Sequence, residues 1–215
     1  MCAAVGPEFL PRLTAMATER RLAPEQSLFE EGEPVEASYV VTHGMLKLFK
    51  LLGDGRRQIV GFALPGDFLG LVVGELHGCT AEAVTEAELC RFPRAQFLML
   101  CDECPPLEKE IFQRTSTELA AAQEQMMLLG RKNATERVAS FVLSMRRRQR
   151  LGPSEPIRLP MSRVDIADHL GLTVETVSRS LSRLRTLRLI ESLDRHLIRI
   201  RQEARLEEAA GARPC

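Results

Sequence analysis

Trp is absent, aromatic residues make up only 5% of the chain, and the formal net charge is zero. No uninterrupted apolar run approaches the ~20 residues of a bilayer-spanning helix, so no helical membrane span is expected. Residues 1–8 hold no basic segment followed by an apolar one, which argues against a secretory leader and places the chain in the cytoplasm. In that compartment six cysteines are expected as reduced thiols and not as a disulfide framework. A Ser-His-Asp set, a phosphate loop and paired catalytic carboxylates at helical spacing are all missing. What remains, at 45% hydrophobic content over 215 residues, is enough to bury two modest cores joined by a connector.

The zero total conceals an opposition between the two ends of the chain. From Arg131 onward eighteen Lys and Arg face ten Asp and Glu, while the remainder carries eleven against nineteen. A basic C-terminal part on an acidic remainder is the asymmetry expected of a module that neutralises phosphates. The run Arg146-Arg147-Arg148-Gln149-Arg150 is by itself more simply a solvated helix end.

Before about residue 100, short β-prone runs alternate with Gly-containing turns at Glu31-Gly32-Glu33, His43-Gly44, Gly53-Asp54-Gly55 and Gly66-Asp67. That texture predicts a small β-roll of jelly-roll type. Tyr39-Val40-Val41 and Met45-Leu46-Lys47-Leu48-Phe49-Lys50 are expected to pair around His43-Gly44. Residues 58–62 continue the meander, and 81–85 with 88–92 close the barrel.

Pro105-Pro106 then opens a long helical stretch with no further Gly or Pro until Gly130. Phe112, Thr115, Leu119, Ala122, Met126 and Leu129 recur along it at alternating spacings of three and four, a heptad seam that predicts pairing with a second copy of the chain. The alternative is packing on its own β-roll. With no acidic side chain at Ala122, between Leu119 and Met126, the pairing is expected to need no trigger.

The most informative segment spans residues 159–179. Ser162 caps a first helix, with Asp165 answering three residues later; Ile166, Ala167 and Leu170 form its inner face, and Gly171 supplies the left-handed turn. Thr173 caps a second helix whose Val177, Leu181 and Leu184 point inward. Thr173, Val174, Glu175, Ser178, Arg179, Ser182 and Arg183 are left largely outside, a set suited to base edges and phosphates. Any helical hairpin with a Gly turn shares part of this pattern. Residues 189–193 and 196–200 are β-prone runs around Asp194-Arg195, a plausible wing. The whole is thus α+β: an N-terminal β-roll in residues 1–104, a dimerisation helix in 105–130 and a winged helix-turn-helix in 131–215.

Three segments carry a resemblance to the Crp/Fnr transcription regulators: Gly66-Asp67-Phe68-Leu69-Gly70, Arg131-Lys132-Asn133-Ala134-Thr135-Glu136-Arg137-Val138 and Val174-Glu175-Thr176-Val177-Ser178-Arg179. The resemblance implies a cyclic-nucleotide-binding-like roll and a homodimer on double-stranded promoter DNA that works with RNA polymerase. In the nucleotide-responsive branch a Glu follows the Gly-containing turn and an Arg-Ser or Arg-Thr pair comes about ten residues later; here stand Leu71 and Cys79-Thr80. The oxygen-sensing branch needs a set of N-terminal cysteines besides one on the roll, and Cys2 is the sole cysteine before the roll that carries Cys90. The FixK-like subgroup, which carries neither set, remains closest and implies a site like TTGAT, four bases, ATCAA, controlling low-oxygen, respiratory or nitrogen-related genes. Val174 stands where the nucleotide branch has Arg, as in the branch that reads TTGAT.

No cofactor is expected, with two readings left open. His77-Gly78-Cys79 is similar to the haem-ligating region of carbon monoxide sensors in this family, although the spacing does not match well. Cys101 and Cys104 have redox or metal spacing, yet one such pair supplies only two ligands; inert thiols are the plainer reading and a redox switch the sharper one. A cupin-like metalloenzyme would be the rival class, but among His43, His77, His169 and His196 there is no paired metal motif.

Overall fold

A computed structural model describes residues 8–70 and 74–211. Cys2 and Leu71, on which the iron-sulfur and nucleotide readings partly depend, lie outside the described residues. The chain forms two compact units, Met1–Arg56 with Val60–Gln123, and Arg57–Ile59 with Glu124–Cys215.

The first unit contains α1 (Leu10–Met16), β1 (Thr18–Leu22), β2 (Ser27–Phe29), β3 (Ala37–His43), β4 (Leu46–Leu51), most of β5 (Arg57–Ala63), β6 (Phe68–Leu69), β7 (Thr80–Ala83), β8 (Ala87–Pro93) and α2 (Arg94–Glu103). Two four-stranded sheets, ordered β1-β8-β3-β6 and β2-β7-β4-β5, enclose Leu22, Phe29, Val41, Leu46, Ala63, Leu69, Ala81, Ala83, Ala87 and Leu89. The two-residue period of a strand sends Ala87 and Leu89 into this roll and Phe92 to the opposite face. There Phe92 meets Leu13, Phe68, Phe97, Leu100, Cys101, Cys104 and Leu107 in a second core, with the Phe97 ring centroid 5.4 Å from Phe68 and 5.7 Å from Phe92. Burial of Phe97 is worth about 1.5–3 kcal/mol on transfer alone.

The expected hairpin around His43-Gly44 is not a hairpin. β3 pairs with β8 and β6, whereas β4 pairs with β7 and β5. Gly44, at φ +83°, turns the chain from one sheet to the other, and the Met45 carbonyl accepts from Val84 N at 2.8 Å, lacing this corner to the β7–β8 corner. Residues 81–85 and 88–92 likewise fall in different sheets. Neither α1 nor α2 was expected; in α2 the signal was Phe97, Leu100 and Cys101 at helical spacing.

α3 (Pro105–Arg131) runs from the first unit into the second, so the boundary between units crosses this helix instead of falling at its ends. The second unit continues with α4 (Ala134–Arg148), β9 (Ile157–Arg158), α5 (Arg163–Leu170), α6 (Val174–Thr186), β10 (Ile190–Ser192), β11 (Leu197–Ile200) and α7 (Glu203–Ala209). Asn133 and Glu136 make a reciprocal capping box at the start of α4. The wing has one strand more than expected, in the order β10-β11-β9. Among the described residues no helix is long and apolar enough to cross a membrane.

A methyl group added at Gly44 would lie 2.1 Å from the Glu86 carbonyl oxygen and 2.7 Å from Ala87 Cα. Gly44→Ala therefore combines a backbone clash with an unfavourable φ and is expected to cost about 2–4 kcal/mol. Thermal melting checks this, and an unchanged midpoint would contradict the corner as described.

Candidate nucleic-acid interface

The two helices of the motif are fixed by local chemistry at their ends. Ser162 Oγ accepts from Asp165 N at 3.0 Å while Asp165 Oδ2 accepts from Ser162 N at 3.0 Å, so the first turn of α5 has its orphan amides satisfied. Gly171 caps α5 in the left-handed conformation, φ 61° and ψ 45°. Thr173 Oγ1 then accepts from Thr176 N at 3.2 Å and starts α6.

Burial of Val177, Ser180, Leu181 and Leu184 decides which side of α6 is free. Thr173, Glu175, Ser178, Arg179, Ser182 and Arg183 are exposed, and Val174 is half-buried beside them. All seven expected interface residues thus lie along one helix and its cap. The Glu175 carboxyl is held below its usual range, first by its own backbone amide and then by the Thr173 hydroxyl. It is accordingly an ionised, acceptor-only group at a helix N-terminus.

Two further cations escaped the sequence reading. The wing is tied to the approach to α5 by Leu159 N donating to His196 O at 2.7 Å, with His196 Nδ1 3.1 Å from Leu159 O. This brings Arg195 toward half-buried Arg163. The Arg163 guanidinium lies below its usual value, chiefly through burial and further through the charges of Arg185 and Arg195. Arg163 of α5 thus feels the charges of Arg185 on α6 and of Arg195 in the wing. Nothing in the linear spacing of residues 163, 185 and 195 announces that meeting.

On α3, Phe112, Leu119 and Met126 are 72%, 61% and 65% exposed, with Thr115 and Ala122 also exposed. Leu107 and Ile111 face the roll side instead. Leu129, the last residue of the expected seam, is half-buried next to Gly171.

Comparison with known proteins is decisive at this point. Residues 19–104 match the cyclic nucleotide-binding domain and residues 136–209 the Crp-like helix-turn-helix domain. The transcriptional activatory protein AadR of Rhodopseudomonas palustris is 42% identical over 192 residues, spanning 88% of this chain and 80% of that protein. The nitrogen fixation regulation protein FixK of Bradyrhizobium diazoefficiens is 46% identical over 161 residues, 74% of this chain and 68% of its own length. The solved structure of FixK2 from Bradyrhizobium japonicum matches with a TM-score of 0.86 at 40% identity, covering 92% of this chain and 99% of that one. The chain belongs to the Crp/Fnr family.

Crp/Fnr membership makes the protein a DNA-binding transcription regulator of FixK-like type, and the metalloenzyme reading falls with it. The roll keeps the family architecture but its residues do not suit a cyclic phosphate. Thr80 Oγ1 accepts from Glu31 N at 3.0 Å, and the Cys79 thiol is pushed up by burial and by the Glu31 carboxylate. That position offers no guanidinium to an anion, and Glu31 is paired with Lys50 at 2.9 Å. His77, 5% exposed, lies flat against Phe29 with ring centroids 3.6 Å apart, packed as a core side chain. Cys101 and Cys104 are buried in the second core, and burial pushes the Cys101 thiol up to about 11. A reactive thiol needs the opposite shift.

His169, near the end of α5, sits against Phe141, and burial holds its imidazole below the ordinary 6.5 against the hydrogen bond between Nδ1 and Ile59 O, which works the other way, with Arg148 adding to the lowering. The folded state therefore keeps His169 neutral where unfolded chains take up a proton. This penalty is absent well above pH 6.5 and grows as pH falls below it, by up to about 1.4 kcal/mol per pH unit for one proton until the folded value is passed. Melting curves between about pH 7.5 and 5 should show a smaller decline for His169→Gln than for the wild type; equal declines would contradict the assignment.

Proposed function

We propose that the protein is a cytoplasmic homodimeric activator that binds TTGAT, four bases, ATCAA in promoter DNA and works with RNA polymerase at low-oxygen, respiratory or nitrogen-related genes. The observation that carries the reading is the exposed face of α6, where an ionised carboxylate and a guanidinium stand one turn apart at Glu175 and Arg179. Arg179 can donate two hydrogen bonds to O6 and N7 of a guanine, and Glu175 can accept from a cytosine amine, each pairing being worth about 1–3 kcal/mol of discrimination. Val174 and Ser178 adjust the neighbouring bases. Thr173, Ser182, Arg183 and Arg185 touch or flank phosphates, and Arg163 and Arg195 extend that set across α5 and the wing. A phosphate beside Arg163 would offset the charges of Arg185 and Arg195 that it feels.

The exposed apolar side of α3 supports the dimer. A two-fold pair would present two copies of α6 about one helical turn of DNA apart, roughly 34 Å. The regulon follows the relatives, among them a nitrogen fixation regulation protein and a fumarate and nitrate reduction regulatory protein.

Arg179→Ala should lose preference at the guanine by about tenfold or more, whereas Arg183→Ala should weaken all sequences alike and reduce the log–log salt slope by about 0.9. Titration of operator variants at several salt concentrations distinguishes the two. An unchanged ranking for Arg179→Ala would remove that residue from base reading.

Leu119→Glu places a charge in the middle of the α3 seam and is expected to give a monomer by light scattering, with palindrome affinity reduced by at least about tenfold. A dimer of unchanged mass would mean that the copies meet elsewhere.

A further inference from the structure

A helix ends with carbonyls that have no intrahelical donor and carry the negative pole of its dipole. In the second unit two such ends, those of α3 and α5, are served by one side chain from a third helix. Arg137, in the first turn of α4, donates from Nε to Lys132 O at 2.9 Å and from NH2 to Leu129 O at 2.8 Å. Its NH1 donates to Leu170 O at 2.9 Å and reaches Gly171 O at 3.4 Å. The first two acceptors close α3, and the second two form the turn of the helix-turn-helix. A second donor from α3 reinforces the link, since Gln125 Nε2 donates to His169 O at 2.9 Å. The glycine turn itself lies against this staple, for a Cβ at Gly171 would sit 3.5 Å from both Arg137 NH1 and Leu129 Cδ2.

The backbone between α3 and α4 is non-helical at Lys132 and Asn133. Local chain geometry at that break leaves the direction of the following helices free, so side chains must hold it. A planar guanidinium with five fixed donors can join two helix ends at one angle, which a single ammonium cannot do.

We infer that Arg137 is a positioning residue that fixes α6 against the end of α3 and thereby sets the half-site spacing the dimer accepts. The inference rests on the palindromic dimer proposed above. In a two-fold pair joined along α3, the angle between α3 and α6 determines how far apart, and in what phase, the two copies of α6 meet the duplex. Base choice within a half-site comes from Glu175 and Arg179, so spacing and base choice are separable properties.

The test uses the full chain and duplexes with identical half-sites whose central gap is shortened or lengthened by one or two bases. Wild type should show a sharp optimum, with affinity about tenfold or more lower one base away. Arg137→Gln and Arg137→Lys should flatten that optimum to within about threefold while the ranking of half-site base variants stays as in wild type. Failure of the lysine to rescue would identify the fork, and not the charge, as the requirement. An optimum as sharp as wild type in both variants overturns the inference, as does a uniform loss at every gap in step with a lowered melting temperature. Should Arg137→Gln fail to fold, Gln125→Ala is expected to blunt the optimum partially, and an unchanged optimum there counts against the staple. A wild type indifferent to gap length would sink the palindromic dimer itself, a result visible before any variant is made.

Discussion

Burial of one stripe of α6 is the constraint on which the rest of the proposed DNA-reading geometry depends. With Val177, Ser180, Leu181 and Leu184 inside, the helical period leaves Glu175, Ser178, Arg179, Ser182 and Arg183 outside together. A rotation of α6 by one residue would bury a charge and expose a leucine, so the core fixes which side chains the helix presents outward, the face proposed to read bases. The caps at Ser162 and Thr173 and the left-handed turn at Gly171 set where that helix begins. Arg137 then gives two open helix ends a common partner.

Charge supplies the second layer. A chain with no net charge has a C-terminal part rich in Lys and Arg, and within it Arg163 feels the like charges of Arg185 and Arg195. Such repulsion is a cost in the free protein and would become an advantage on the proposed DNA, because neutralising phosphates releases counterions. Glu175 is the exception, and on the proposed reading an ionised acceptor among cations would admit a base donor and repel a misplaced phosphate.

Features governed by near neighbours in the chain were legible in the sequence. Ser162 with Asp165, Gly171 and Thr173 announce the helix-turn-helix because capping is local chemistry, and the three-four spacing from Phe112 to Met126 marks an exposed side of α3, while Leu129 at its end is half-buried. Features governed by tertiary pairing were not. The turn at Gly44 looks the same whether it closes a hairpin or carries the chain into another sheet, and only Glu86 and Ala87, packed against it, decide. Strand β9 is two residues long and exists through its pairing with β11. Arg163 feels the charge of Arg195 because the wing is tied back to the approach to α5, which no periodicity encodes. The spacing of Cys101 and Cys104 left a redox switch open beside inert thiols, and Cys101 near the end of α2 and Cys104 just past it both fill a core.

The central claim is that α6 distinguishes bases and does not merely attract polyanions. Its most direct measurement is the affinity of the purified protein for a palindromic duplex and for a scrambled duplex of equal length, followed as salt is raised. Both affinities should fall, while their ratio stays at about 10³ or more throughout. Equal affinity for the two duplexes at every salt concentration would contradict the account.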